Sequence, residues 1–420
     1  MILYLIDFLK YDQKEAFAIN AVLITLFELG SIFGGILADR LLGFRRALII
    51  GSALLTVGYS SLIVSKALIF SFGLMIMGGN LMVSNIPALV GQITSQDTKR
   101  QQKYMTLLYA MQNLGALISI PLLGYLKEVY GFSAAFAVAG VVMGLGGLAL
   151  VLSAIENKPT MKNYKAALSG FISMPILAIL LLYNPSYITW GLGGLGLTLG
   201  IFFSGKIFMT ELVKREKRTE FFLVIIALIF FFAINDQSAT SLILYADKMT
   251  NSTVFGLKLP ATIVGMVNPL TILALASWIS KKKPRLIYPF LVSSVAMFGL
   301  SMIALMIGNK TPSVLWVTAV VGILSICELF IGPLVFQKAA EASHEERRGE
   351  VMGVVPIAFC LAFLCSGLIG SYTVDKNNIL KSDTFAHGFQ IMSCFLLVGA
   401  LIMALAKFFM RRKSDFDVVS

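Results

Sequence analysis

The sequence predicts an all-α membrane protein with two six-helix bundles, a central two-helix insertion and an incomplete first helix. Three observations carry that prediction. Of the 420 residues, 57% are hydrophobic and only 13% charged, and the mean hydropathy of +0.85 is far too apolar for a soluble chain of this size. Apolar runs close to the roughly 20 residues needed to cross a bilayer recur from end to end. Lys and Arg gather in alternate loops between those runs, which marks the loops as cytoplasmic.

Taken in order, the chain opens on MILYLIDFL, too short to span, with Asp7 inside it and Lys10 and Asp12 after it and no small-residue cleavage site. This reads as part of a first helix and not as a signal peptide, and a segment ahead of Met1 is expected to be missing. Full spans are placed at 16–38, 47–65, 68–91, 104–126, 132–155, 167–183, 187–205, 219–245, 260–280, 286–308, 314–337, 351–373 and 388–410. The basic loops between them hold Arg40, Arg45 and Arg46, then Lys99, Arg100 and Lys103, and then Lys158, Lys162 and Lys165. Further along come Lys214, Arg215, Lys217 and Arg218, then Lys281, Lys282, Lys283 and Arg285, then Arg347 and Arg348, and finally Arg411, Arg412 and Lys413. The polar connectors ENKPTMKNYKAA and MTELVKREKRTE divide the chain into an N-terminal bundle at 1–155, a connector with two extra helices at 156–218, a C-terminal bundle at 219–410 and a cytoplasmic tail at 411–420.

The formal charge of +12 is therefore a topology signal, and it gives no ground for nucleic-acid binding. Cys327, Cys360, Cys365 and Cys394 all fall inside spans without metal spacing, and His344 and His387 lie far apart in loops. No nucleophile, metal set or phosphate loop suggests an enzyme, and no cofactor is expected. Small residues inside the spans, Gly30, Gly34, Gly35, Gly140, Gly144, Gly146 and Gly147, are assigned to helix packing.

Polar residues inside apolar runs are the candidates for function. The stretch AINDQS carries Asn235 and Asp236 through a segment that otherwise reads as lipid-soluble. An ionisable group in hydrocarbon costs roughly 2.5–3.5 kcal/mol on insertion scales and is rare without a use. Glu28 and Glu328 pose the same question. Carboxylates in a low-dielectric cavity have their charged form disfavoured and can titrate near neutral pH, while Asn offers an amide both a donor and an acceptor.

The loop GGILADRLLGFRRALIIG, residues 34–51, turns on Gly43 and sets Asp39 and basic residues at helix ends. It resembles the signature loop of the major facilitator superfamily, which implies a cytoplasmic gating set of Gly35, Asp39, Arg40, Gly43 and Arg45. The stretches GGNLMVSNIPALVGQ, YAMQNLGAL, FFAINDQSATSLILYADKMTN, VFGLKLPATIVGMVNPLTI and ICELFIGPLVFQKAA are similar to helices of the proton-dependent oligopeptide transporters, and YAMQNLGAL matches that family's FYxxINxG motif. The resemblance implies substrate contacts at Asn113 and Asn268, and proton coupling at Asp236 and Glu328; Glu28 and Asn235, polar residues in apolar runs, are added as substrate-binding candidates on their own chemistry. It also implies protons as the coupling ion and small peptides as substrate; beside it, the spans give a lipid bilayer as surroundings and a multi-pass location in the inner (plasma) membrane, and a monomeric working unit is the expectation.

Three positions depart from that pattern. The first-helix ExxERxxxY motif is absent, the Lys of the fourth helix is replaced by Val83, and a Tyr of the second helix is replaced by Glu28. Away from their ends the spans then carry Glu28, Asp236 and Glu328 but no Lys or Arg. A cavity lined only with acids holds them protonated or attracts a cation. The expected activity is proton-coupled import of di- or tripeptides or related solutes. The alternatives are a proton-coupled antiporter exporting cationic amines or drugs, and a non-transporting receptor or scaffold.

Overall fold

The computed structural model describes residues 1–63, 68–94, 98–155, 164–183, 213–254, 256–279, 287–306, 311–342, 348–374 and 381–417, with single positions at 191, 194, 198 and 205. Each expected span that falls on described residues is helical. The expected span 187–205 lies outside them apart from those single positions, as do His344, Lys158, Lys162, Lys281, Lys282, Lys283, Arg285 and Arg347. Among the described residues ten helices are long and apolar enough to cross a membrane, and the chain is a multi-pass membrane protein.

The helices are α1 (Gln13–Leu37), α2 (Phe44–Ser61), α3 (Leu68–Met82), α4 (Asn85–Ile93), α5 (Thr98–Tyr130), α6 (Phe132–Leu152), α7 (Lys165–Tyr183), α8 (Arg218–Asn235), α9 (Ser241–Met249), α10 (Val267–Ile279), α11 (Ile287–Met306), α12 (Leu315–Ala342), α13 (Arg348–Gly370) and α14 (Ser382–Asp417). By contacts they form two units: Met1, Leu3–Tyr11 and Ala18–Leu195 in the first, and Ile2, Asp12–Phe17 and Gly196–Ser420 in the second.

In the first unit the opening run is a short helical piece, with Tyr4–Phe8 in π geometry. Tyr4 anchors it. Its hydroxyl donates to the Leu62 carbonyl over 2.8 Å, and its ring stacks on Phe8 and meets Phe136 edge-on at 4.8 Å. The opening run is thus held by the buried Tyr4 within an aromatic cluster.

Of the seven glycines assigned to packing, all but one lie at close helix contacts. A Cβ at Gly30 or Gly34 would collide with the side chain or the backbone carbonyl of Asn80 on α3. Gly51 and Gly78 face each other across α2 and α3, and a Cβ on either would come within 2.9 Å of the other's carbonyl oxygen. Gly140 and Gly147 bring α6 onto Ser60 and Ser52 of α2. In lipid such backbone approach supplies much of the association energy. Gly146 is the exception: its missing Cβ would point into open space, so the packing role expected for it is not borne out. α7 lays Phe171 on a cluster of Leu37, Ala38, Ala47 and Leu81.

In the second unit α11 and α14 are tied by Ser294 and Ser393, whose hydroxyls lie 2.8 Å apart and each donate to the other residue's carbonyl. Phe230 of α8 stacks on Phe395 of α14 at 4.5 Å. At one end of α12, Lys338 reaches Glu220 at 2.8 Å and Glu341 at 2.7 Å. These contacts hold the Glu341 carboxyl below the usual carboxylate range, chiefly through the Lys338 hydrogen bond. A two-residue hairpin, β1 (Thr253–Val254) with β2 (Leu257–Lys258), links α9 to the next helical stretch.

Gly34→Ala is expected to destabilise the purified protein by about 1–3 kcal/mol, because a backbone carbonyl cannot give way to the new methyl. Gly146→Ala is expected to stabilise it by up to about 1 kcal/mol, because a helical glycine in open space only adds chain entropy. Thermal unfolding of the two variants side by side checks both signs.

Candidate functional site

Three of the residues singled out by sequence meet in the second unit. Glu328 lies in mid-α12, Asn235 is the last residue of α8, and Asn268 is in the first turn of α10. Asn235 Nδ2 donates to Glu328 Oε2 over 3.0 Å, and Asn268 Nδ2 donates to the same oxygen over 2.6 Å. One carboxylate oxygen is thus covered by two amides from two other helices, and the second, Oε1, has no hydrogen-bond partner among the described residues. Asn235 is 9% exposed, and its Oδ1 is a buried acceptor without a partner among the described residues. The cluster offers acceptors and little else, so what it can take is a donor: a proton, or the N–H of an ammonium or amide.

Helix breaks place these groups. α8 ends at Asn235, residues Asp236–Ala239 tighten to a 3-10 turn, and Thr240 leaves helical geometry at φ −125 and ψ −93 before α9 begins. A 3-10 turn at Ala261–Met266 precedes α10, and Pro269 follows Asn268 in the first turn, where a missing N–H costs nothing. In α12, Pro333 removes the backbone donor that would serve the carbonyl of Leu329, next to Glu328.

Asp236 follows Asn235 in the chain but belongs to a different network. Its Oδ2 accepts from Ser366 Oγ of α13 over 2.6 Å. Gln237, fully buried, donates through Nε2 to Ser366 Oγ at 2.8 Å and to the carbonyls of Ser366 and Ala233 at 2.9 and 3.2 Å. Gln237 and Ser366 went unremarked in the sequence. Gln237 was legible as one more polar residue in AINDQS, whereas a serine in an apolar helix commonly turns to its own backbone and gives no sign of another partner.

The remaining candidates lie in the first unit. Glu28 is half-buried in mid-α1, and among the described residues its carboxylate makes no hydrogen bond or ion pair. Asn113 on α5 donates to its own helix, at Tyr109 O over 2.9 Å, which leaves the amide oxygen for other contacts. Val83, 37% exposed, sits in the break between α3 and α4. That break is pinned to α1, since Ser84 Oγ donates to Ser31 O at 2.9 Å and Asn85 Nδ2 to Gly34 O at 3.3 Å.

The predicted gating residues divide. Asp39 and Arg40 occupy a π-turn, Ala38–Leu42, that prolongs α1, and Gly43 follows at φ 78, which favours glycine. Gly35 packs on Ser84. Arg45 donates to the carbonyls of Leu150, Val151 and Ser153 at 3.1, 2.8 and 2.9 Å, and so caps the end of α6. Its geometry here is that of a structural clamp.

Comparison with known proteins places the chain. The profile of the Major Facilitator Superfamily matches residues 9–367. The chain is 25% identical to dipeptide and tripeptide permease A of Proteus mirabilis (strain HI4320), over 97% of its own length and 88% of the relative's. It is 26% identical to the peptide transporter YePEPT of Yersinia enterocolitica subsp. palearctica serotype O:3 (strain YE-P4), covering 94% and 87%. The crystal structure of a POT family transporter in complex with 5-aminolevulinic acid superposes with a TM-score of 0.84 at 24% identity, over 96% of this chain and 91% of that one. That likeness shows the fold.

Because both amides serve one oxygen, Asn235→Ala and Asn268→Ala are expected to be non-additive. Each alone leaves Glu328 one donor and the pair leaves none, so the double variant should lose about 0.5–3 kcal/mol more than the sum of the singles. Thermal unfolding of the four proteins in a double-mutant cycle measures the difference.

Proposed function

The chain belongs to the Major Facilitator Superfamily, and from that premise we propose that it is a proton-coupled symporter for di- and tripeptides or related peptide-like solutes. It would work by alternating access in the inner membrane. Its near full-length similarity to proteins named as peptide permeases supports the substrate class. The observation that carries the site is the convergence of Asn235 and Asn268 on one oxygen of Glu328 within apolar helices.

In this reading the covered oxygen orients the carboxylate, and the free one takes a proton or the ammonium end of a peptide. Asp236 is the second proton-binding group. Protonation removes a charge that would otherwise be buried unpaired when the site closes, and burying such a charge is too costly to be routine. Asn113 and Asn268 offer amide contacts to the peptide backbone. Asp39 and Arg40, at the π-turn after α1, are the gating pair of the reading.

A second reading has one specific observation behind it. Glu28 is a mid-helix carboxylate with no partner among the described residues, which suits a cationic ligand in a proton-coupled antiporter. Proton-dependent efflux of a cationic dye that Glu28→Gln abolishes is the outcome this reading expects.

The test of the first reading is uptake of a labelled dipeptide into proteoliposomes under an inward proton gradient. Gradient-driven accumulation is expected for the wild-type chain, with a loss of tenfold or more in Asp236→Asn and Glu328→Gln, about the value of one charged interaction. No accumulation by well-folded wild-type protein overturns it.

A further inference from the structure

Ser366 is 1% exposed on α13, and its hydroxyl lies 2.6 Å from Asp236 Oδ2. Its neighbours leave it little freedom. Gln237 Nε2 approaches Ser366 Oγ at 2.8 Å, and that amide is itself fixed. Its nitrogen faces two backbone carbonyls, Ala233 O at 3.2 Å and Ser366 O at 2.9 Å, which only accept. Its oxygen receives the hydroxyls of Ser241 at 2.5 Å and Thr240 at 3.1 Å. A hydroxyl owns one hydrogen, and a carboxylate can only accept. The Ser366 hydrogen is therefore directed at Oδ2.

The consequence concerns Asp236. Oδ2 accepts the same bond whether the carboxyl is charged or neutral, so a proton entering the group has its place on Oδ1, which has no hydrogen-bond partner among the described residues. We propose that Ser366, set in place by Gln237, is the positioning residue of the proton site, holding Asp236 through Oδ2 and leaving Oδ1 to take up and release the proton. The step balances simply. An O–H bond forms at Oδ1 as a hydronium gives up its proton and breaks when the proton returns to water, with no hydroxyl in the network needing to turn.

Of the titratable groups on the elements around it, Glu328 is bonded to Asn235, the residue before Asp236, and Cys365 precedes Ser366. Among the described residues neither bonds to Asp236, and no ion pair reaches it.

This inference rests on the reading of Asp236 as a proton site, and its test separates the two. The full chain is reconstituted as wild type, Ser366→Ala and Ser366→Thr. Two quantities are read: the ratio of gradient-driven dipeptide uptake to counterflow exchange, and the infrared carboxyl band that Asp236→Asn removes. Ser366→Ala is expected to lower the ratio about tenfold, the worth of one hydrogen bond to a charged group, and to shift the band upward, while Ser366→Thr restores both. A lone structural role would lower uptake and exchange together and leave their ratio unchanged.

A band that Ser366→Ala leaves in place, or a ratio it leaves unchanged in a transporting protein, overturns the inference. A band that Ser366→Ala shifts, in a chain whose wild type moves no dipeptide in either assay, upholds the positioning role and overturns the peptide reading alone. If Ser366→Ala does not fold, Ser366→Cys, similar in size and a weaker donor, is expected to give a smaller shift in the same direction, and no shift there is equally fatal.

Discussion

A polar group carried into hydrocarbon has to find its partner inside the protein, since lipid offers none. Much of the packing of both units follows from that demand. Asn80 of α3, turned so that its amide nitrogen faces carbonyls, donates to Leu26 O at 3.2 Å, Phe27 O at 2.9 Å and its own helix at Ile76 O. The glycines of α1 let the two helices come close enough for that to happen. In the second unit Ser294 and Ser393 trade hydrogen bonds across α11 and α14. A buried amide left without partners would cost about 1–3 kcal/mol, so each such residue fixes a helix pair as firmly as a large apolar contact does.

The same demand explains why the breaks in the helices coincide with amides and hydroxyls. Where a span is interrupted, its carbonyls lose their intrahelical donors, and nearby side chains replace them. Asn85 does so for Leu81 O at 3.0 Å, Gln237 for Ala233 O, and Thr240 for Asp236 O at 3.3 Å. Interrupted helices in turn supply what a binding site needs at membrane depth, namely polar groups that are not spent on a regular ladder. Asn235, Asp236 and Asn268 all stand at such interruptions. Glu328, in an unbroken helix, is turned to account by the amides the interruptions present to it.

How much of this the sequence disclosed depends on the kind of interaction. Apolar runs of bilayer length located the helices, because that signal is carried by composition within one segment. The embedded charges at Asp236 and Glu328, and the amides at Asn235 and Asn268, stood out against apolar neighbours for the same reason. The joining of Asn235, Asn268 and Glu328 on one oxygen did not, since it links residues up to 93 positions apart on three helices. Ser366 was silent because its role lies 130 positions away at Asp236. Arg45 stood out through its loop motif, while its three bonds to the end of α6, more than a hundred positions away, left no trace in the sequence. Gly146 looked like its neighbours Gly144 and Gly147, and only the rotation of α6 turns it away from α2.

The placing of Glu28 has a consequence for how the protein is made. α1 carries twelve Phe, Ile, Val and Leu residues between Gln13 and Leu37, each favouring entry into the bilayer by roughly 0.3–0.6 kcal/mol. Together they outweigh the roughly 2.5–3.5 kcal/mol set against one acidic residue at the centre of a helix. By that sum the carboxylate of Glu28 does not by itself bar the segment from entering the bilayer, so the acid can be carried to membrane depth by the apolar residues of its own helix.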